Sequence, residues 1–334
     1  ILTAIGYVLD VYMGKYGAEK NFWKVATFII YYPKMLSGPI ERGQRFFDKL
    51  DSIERITKER FHIGIQIIAF GLLKKLVIAD RLGVCVDAVF AAPEIYSAPA
   101  ILCAMISYAI QIYCDFSGYT DIAIGVSYLI GIQLDENFNL PYCATNPSDF
   151  WKRWHISLSG WFRDYVYIPM GGSRKGSICT YRNILITMLV SGIWHGANWT
   201  FVLWGFIHGV AQCLHRKKKK RIAVSNWLMM AVNFTFVTIA WTIFRADSLG
   251  TVGNIFLGVL TWRDGIQYIY VFTPIYFLLV MLWEWKSYYR NNGKVKYPML
   301  DLDKPVHLGL FTAEILLILG LAYFGNGAFI YNQF

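Results

Sequence analysis

Between Asn183 and Leu214 the chain runs for 32 residues without a single Asp, Glu, Lys or Arg. At about 1.5 Å per helical residue, that exceeds the roughly 30 Å needed to cross a hydrocarbon core. A run of this kind tilts, breaks, or enters a bilayer and turns back. Ile222 to Phe244 is a second uncharged run of 23 residues and Ile266 to Trp283 a third of 18. Pro305 to Gly325 is a fourth, interrupted by His307 and Glu314. Each is long enough to span.

The composition agrees. Of 334 residues, 56% are hydrophobic and only 16% charged, against about 25% charged in ordinary globular domains. Mean hydropathy is +0.39, and twelve Trp with 22 Tyr and 23 Phe suit aromatic belts at membrane surfaces. A soluble domain, a disordered chain, a collagen-like repeat and a small disulfide scaffold are all disfavoured. The net charge of +10 does not point to nucleic acid, because Lys and Arg gather between apolar runs, in Lys34 to Arg60 and in 215–221. Such short basic loops are expected on the cytoplasmic side or against anionic lipid. Cys85, Cys103, Cys114, Cys143, Cys179 and Cys213 lie far apart without a C-x-x-C pair, which disfavours a disulfide framework or a zinc ribbon. The chain opens at Ile1 inside an apolar run, so it reads as one membrane domain, 1–334, lacking an N-terminal part.

The first half is less regular. Ala98 to Cys114 spans, and Asp115, Gly118 and Asp121 interrupt before Ile122 to Leu134 resumes. Phe61 to Ala79 spans with Lys74 and Lys75 inside it, and those lysines are expected near an interface, snorkelling, or facing protein. Ile1 to Met13 and Phe22 to Tyr32 read as a cut-off span and a short, half-depth segment. The total comes to about eight or nine membrane-embedded helices. Asn146-Pro147-Ser148-Asp149 starts a helix, with a capping side chain, Pro in the first turn and an acid against the dipole. Trp151, Trp154, Leu158, Trp161 and Tyr165 then recur at helical spacing among Lys152, Arg153, Arg163 and Asp164. That pattern predicts an interfacial or re-entrant amphipathic helix.

Two histidines sit deep in the uncharged run, in near-duplicate settings: Gly192-Ile193-Trp194-His195-Gly196 and Gly205-Phe206-Ile207-His208-Gly209. Each lies inside a G-x-x-x-G, which permits close helix approach. On one straight helix His195 and His208 stand about 20 Å apart on roughly opposite faces, so they meet only if the segment breaks. An imidazole, with a pKa near 6.5, is usable as a base at neutral pH; it serves equally as a polar link between helices. His155, on a helix, falls on the Trp151 face. Asp115 and Asp121 are costly in an apolar run unless paired or hydrated; they either bind the basic 152–163 stretch, cap helix ends around Gly118, or act in catalysis. With no H-x-x-x-H or H-E-x-x-H, no metal site is expected.

Several strings then fall in order along most of the chain: Ser37-Gly38-Pro39-Ile40, the Asp115 to Asp121 segment, Phe150-Trp151-Lys152-Arg153-Trp154-His155-Ile156-Ser157-Leu158-Ser159, Arg163 to Gly172, and Gly192-Ile193-Trp194-His195-Gly196. Together they resemble the membrane-bound O-acyltransferases, in particular the bacterial branch with the alginate O-acetylation protein; the teichoic acid D-alanyl transferases are a more distant likeness. The resemblance implies an all-α polytopic bundle with re-entrant and interfacial helices, in which funnels from both faces meet near mid-membrane. It implies a multi-pass protein of a bacterial cell membrane, surrounded by lipid, that takes an acyl group from a cytoplasmic thioester, acetyl-CoA or an acyl carrier protein, with no bound cofactor. A polysaccharide acceptor and an extracytoplasmic esterase-like acetyltransferase partner are implied as well, and no nucleic acid. His195 matches the family's catalytic histidine and His155 the second implicated one. His208 matches a histidine often present, with an accessory or structural role.

The chemistry fits burial. A hydroxyl attacking a thioester carbonyl needs a base, which His195 would supply, while His155 orients the donor or protonates the leaving thiolate. Trp194, Asn198 and Trp199 are the nearest candidates to face an oxyanion, and with Trp154 they form the expected substrate-binding set. Three alternatives remain on sequence. One is D-alanyl transfer; a second is a transporter, needing mid-membrane carboxylates, for which Glu314, Asp115 and Asp121 are the obvious acids; the third is a non-catalytic scaffold.

Overall fold

The structure is a computed structural model that describes residues 1–35, 38–217, 225–290 and 299–324. Ser37 and residues 218–221 of the basic cluster lie outside the described residues.

Fourteen α-helices carry the described chain, with no β-strand among the described residues. α1 (Leu2–Tyr12), α2 (Phe22–Ile30) and α3 (Gly43–Asp51) lead into α4 (Lys58–Leu72), a π-helical turn (Leu73–Ala79) and α5 (Asp80–Ala91). α6 (Ala98–Ile130) follows, then the short α7 (Pro147–Phe150) and α8 (Ile156–Phe162). α9 (Gly176–His195) and α10 (Trp199–Lys217) come next, then α11 (Asn226–Arg245), α12 (Leu249–Leu260), α13 (Phe272–Arg290) and α14 (Pro305–Leu321). Among the described residues, three continuous stretches are long and apolar enough to cross a membrane: Lys58–Ala91, Ala98–Ile130 and Asn226–Arg245.

α6 is the axis. It packs on α4, α5, α11, α12 and α13 and is buried along most of its length. The expected interruption at Asp115, Gly118 and Asp121 does not occur: one helix of 33 residues runs through it. The acids are tolerated because the neighbouring π-turn brings Lys74 and Lys75 to them. Lys75 Nζ lies 2.6 Å from Asp115 and 2.7 Å from Asp80, while Lys74 pairs with Asp121 and donates to Ser117 Oγ at 3.0 Å. The lysines thus face protein, and the acids pair with them. The close fit of α4 on α6 is made by two reciprocal glycine pairs. A Cβ on Gly71 would stand 2.6 Å from the Gly118 carbonyl, and one on Gly125 would stand 2.8 Å from the Gly64 carbonyl. Both glycines of each helix are seven residues apart, two turns of one seam.

The long uncharged run breaks and turns back. α9 ends at His195, Gly196 to Asn198 form the bend, and α10 returns against α9. Gly192 lies under the Phe201 carbonyl and Gly205 under the Met188 carbonyl, so the duplicated G-x-x-x-G motifs are the two sides of one hairpin seam.

Candidate active site

The segment after α6 builds one wall of the site. As the sequence predicts, Asn146 caps α7, its Oδ1 accepting the Asp149 N–H at 2.9 Å. The single amphipathic helix expected beyond it is absent: the chain leaves α7 through turns at Trp151 to Trp154, and His155 adopts a left-handed conformation with φ 42° before α8 begins. Positive φ is costly for a residue with a Cβ and persists where surrounding contacts impose it. Here they come from the 137–139 loop. The Ile156 N–H donates to the Asn137 carbonyl at 2.9 Å, and the Asn139 N–H donates to the Arg153 carbonyl at 2.8 Å. His155 therefore does not share a helix face with Trp151. Its imidazole is buried, edge-on to Phe116 at 4.7 Å between ring centres, with Nδ1 3.1 Å from Asn137 Oδ1.

Trp151 turns instead toward α10, donating its indole N–H to His208 Nδ1 at 3.2 Å. Because an indole nitrogen only donates, His208 Nδ1 is the acceptor and its Nε2 carries the proton. That N–H has no hydrogen-bond acceptor among the described residues and lies within Phe150, Trp151, Trp204 and Phe236.

His195 is the last residue of α9, at the bend. Its ring is buried against Trp194 at 4.9 Å, Phe244 at 5.0 Å, Trp204 at 5.4 Å and Phe201 at 6.3 Å between centres. Trp204 also stands 5.0 Å from His208, so the break in the uncharged run brings both histidines to one indole. His155 joins the same cluster through Phe116, whose ring centre lies 6.5 Å from that of Trp154. All three histidines thus belong to one aromatic cluster, at whose centre Trp241 stacks on Trp204 and packs at a tilt against Trp154.

The other expected residues are placed as follows. Trp154 is fully buried in that stack. Trp194 and Trp199 are 43% and 72% exposed, flanking the bend on its outer side. Asn198 has both amide atoms engaged: Nδ2 donates to the Asp247 carbonyl at 2.7 Å and Oδ1 accepts the Thr200 N–H at 3.0 Å. Asp115 and Asp121 sit at the lysine pairs described above. No cluster of three or more metal-ligating side chains occurs among the described residues.

Two residues escaped the sequence reading. Asn137 lies outside every helix yet anchors His155; the signal was its place in the polar Asp135-Glu136-Asn137 bend following a span. Glu284, inside α13, is fully buried and accepts the Tyr142 N–H at 3.2 Å. It adds an acid to the three considered on sequence, and lies one residue beyond the uncharged run that ends at Trp283.

Comparison with known proteins fits this arrangement. The family model described as membrane-bound O-acyltransferase matches residues 18–250. A probable alginate O-acetylase of Azotobacter vinelandii is 38% identical over 269 residues, 79% of this chain and 53% of that protein. A peptidoglycan O-acetyltransferase of Helicobacter pylori is 37% identical over 249 residues, 72% of this chain and 47% of that protein. A teichoic acid D-alanyltransferase of Bacillus subtilis is 34% identical over 250 residues, 66% of this chain and 60% of that protein. The chain spans about half the length of the alginate and peptidoglycan relatives.

Proposed function

Since the chain belongs to the membrane-bound O-acyltransferase family, we propose that it moves an acyl group, acetyl in the first instance, from a cytoplasmic thioester to the hydroxyl of an exported or cell-surface polysaccharide, with His195 as general base. The observation that carries this reading is the position of His195. It stands at the break of the longest uncharged run, packed among Trp194, Trp204 and Phe244 in the aromatic cluster that also takes in His155 and His208.

The steps balance without an outside co-reactant. The acceptor oxygen attacks the thioester carbonyl carbon as its proton passes to His195. The tetrahedral oxyanion collapses, the C–S bond breaks, and the thiolate takes the proton held by His195 to leave as thiol. His155 is offered as the group that orients the donor or, accepting that proton at Nε2, relays it to the sulfur. The surrounding indoles keep water from competing for the acyl carbon. Trp194 and Trp199, exposed beside the bend, are offered to the incoming chains, whereas the buried Trp154 backs the histidine cluster.

Acetyl is favoured over D-alanyl because the acetylating relatives are the more similar, 38% and 37% against 34%. The donor is acetyl-CoA or an acyl carrier protein. Within a bacterial cell membrane, the acyl group reaches the polymer directly or through an extracytoplasmic esterase-like acetyltransferase. The test is polymer-bound acetyl, released by mild base, in cells carrying the full-length protein or its His195→Ala or His155→Ala variant at matched membrane levels. Loss of acetyl in His195→Ala supports the reading. Unchanged acetylation in that variant overturns it.

A further inference from the structure

The hydrogen bonds around Asn137 fix more than a loop. Its Oδ1 accepts the Ser157 backbone N–H at 3.2 Å and the Ser157 hydroxyl at 2.9 Å, and stands 3.1 Å from His155 Nδ1. A backbone N–H only donates, so the atom facing it is the amide oxygen; turning the amide over would set donor against donor. An oxygen that can only accept then requires His155 Nδ1 to donate. The ring is held as the Nδ1–H form, and Nε2 is left as its single basic atom.

We propose that Asn137 is a positioning residue that locks His155 in the Nδ1–H tautomer and so presents Nε2 as the nitrogen that exchanges protons with substrate. His208, held by Trp151, is locked the opposite way. Two histidines of one aromatic cluster thus hold opposite tautomers, one with a lone pair at Nε2 and one with a proton there.

The rest of the surroundings support the lock. Asn137 is 1% exposed, and its backbone carbonyl holds Ile156, which fixes the left-handed turn at His155. Its Nδ2, without a hydrogen-bond partner among the described residues, belongs to a side chain that lines a cavity of about 20 Å³ together with Lys74, Thr120, Asp121 and Glu136. That volume is about the size of one water. The amide orientation rests on the backbone N–H of Ser157, which only an oxygen can accept.

The part of this inference that concerns proton exchange rests on the proposed acyl transfer; the tautomer does not, and the experiment separates them. Full-length protein is labelled with histidine carrying ¹⁵N at Nδ1 alone and studied in detergent micelles, with His155→Gln identifying the His155 signal by difference. Expected is a protonated, pyrrole-like Nδ1 in the parent protein and in Asn137→Asp, which keeps the accepting oxygen, and a mixed or pyridine-like Nδ1 in Asn137→Leu. An unprotonated Nδ1 in the parent protein overturns the lock, a result that needs no variant to fold. A signal unchanged in folded Asn137→Leu overturns the assignment to Asn137. In the activity arm, Asn137→Leu should lower turnover by roughly 10–100-fold with the donor KM little changed, and Asn137→Asp should restore most of it. Full turnover with a displaced tautomer overturns the catalytic use of Nε2 while leaving the lock in place. If His155→Ala stays fully active, the proposed role of His155 in transfer fails and the tautomer result still stands on its own.

Discussion

Trp151 and His208, 57 positions apart in sequence, are joined by a single hydrogen bond of 3.2 Å that ties the segment carrying His155 to the hairpin carrying His195. The bond adds a polar link between α7 with its following turn and α10, which also touch through the Phe150–His208 and Trp151–Trp204 ring contacts. The indole is its donor.

Replacing that indole tests its weight. Trp151→Phe keeps most of the ring volume and removes the donor, leaving a buried imidazole nitrogen without a partner. The cost of such a group is about 1–3 kcal/mol, so the thermal midpoint in detergent should fall. Acyl transfer should fall with it, because the two segments lose the polar link between them. An unchanged midpoint would show that the bond contributes packing alone.

The lysine–carboxylate pairs on α6 make a second prediction. Removing one partner of a buried pair strands the other charge and typically costs about 3–5 kcal/mol, whereas replacing both with apolar residues of similar volume is often near neutral. Asp121→Leu should therefore be far less stable than the double variant Lys74→Met/Asp121→Leu. Midpoints that simply add, with the double variant the worst, would contradict this account of why α6 accepts its acids.

Lys34 gives a pH signature. It lies outside the three spanning stretches, with its Nζ 4.2 Å and 4.0 Å from the ring centres of Phe28 and Phe46. Burial pushes its amine down from the ordinary lysine value to about 7, with Glu41 acting in the opposite direction. Between about pH 7 and 10.5 the unfolded chain binds the proton that the folded chain has released, so stability rises with pH across that window. Below it, both states are charged and the full cost of burying the ammonium is felt. Relative to Lys34→Met, the parent protein should gain stability between pH 7 and pH 10. Parallel unfolding midpoints for the two proteins over that range would exclude the titration of Lys34 as the cause.

Much of this arrangement could be read from the residues, because charge and apolar length act locally. The run from Asn183 to Leu214 was too long for one span, and it breaks at Gly196, between the two glycine-flanked histidines. The first-turn chemistry at Asn146 and Pro147 gave the start of α7. What the sequence could not reveal was pairing between distant segments. Asp115 and Asp121 look like interruptions until Lys74 and Lys75, some forty residues earlier, are set beside them by a π-turn. His155 was placed on a helix face because Trp151, Trp154 and Leu158 repeat at helical spacing. Of these only Leu158 lies in a helix, α8; Trp151 and Trp154 sit in the turns after α7, and the junction at His155 is held in the left-handed region by Asn137. Spacing within a segment reports which side chains want burial; it carries no information about a loop eighteen residues earlier that bends the backbone between them.

The hairpin seam of α9 and α10 has a consequence for movement. Gly192 under the Phe201 carbonyl, Gly205 under the Met188 carbonyl and Gly209 against Leu185 act as three stops along one rail. Sliding one helix past the other by a turn, about 5.4 Å, would bring side chains to places where backbone oxygens now touch bare Cα atoms. His195, three residues past the first stop, is clamped like a tool in a bench vice. On the acyl transfer proposed above, donor and acceptor must come to a histidine whose backbone the seam holds in place.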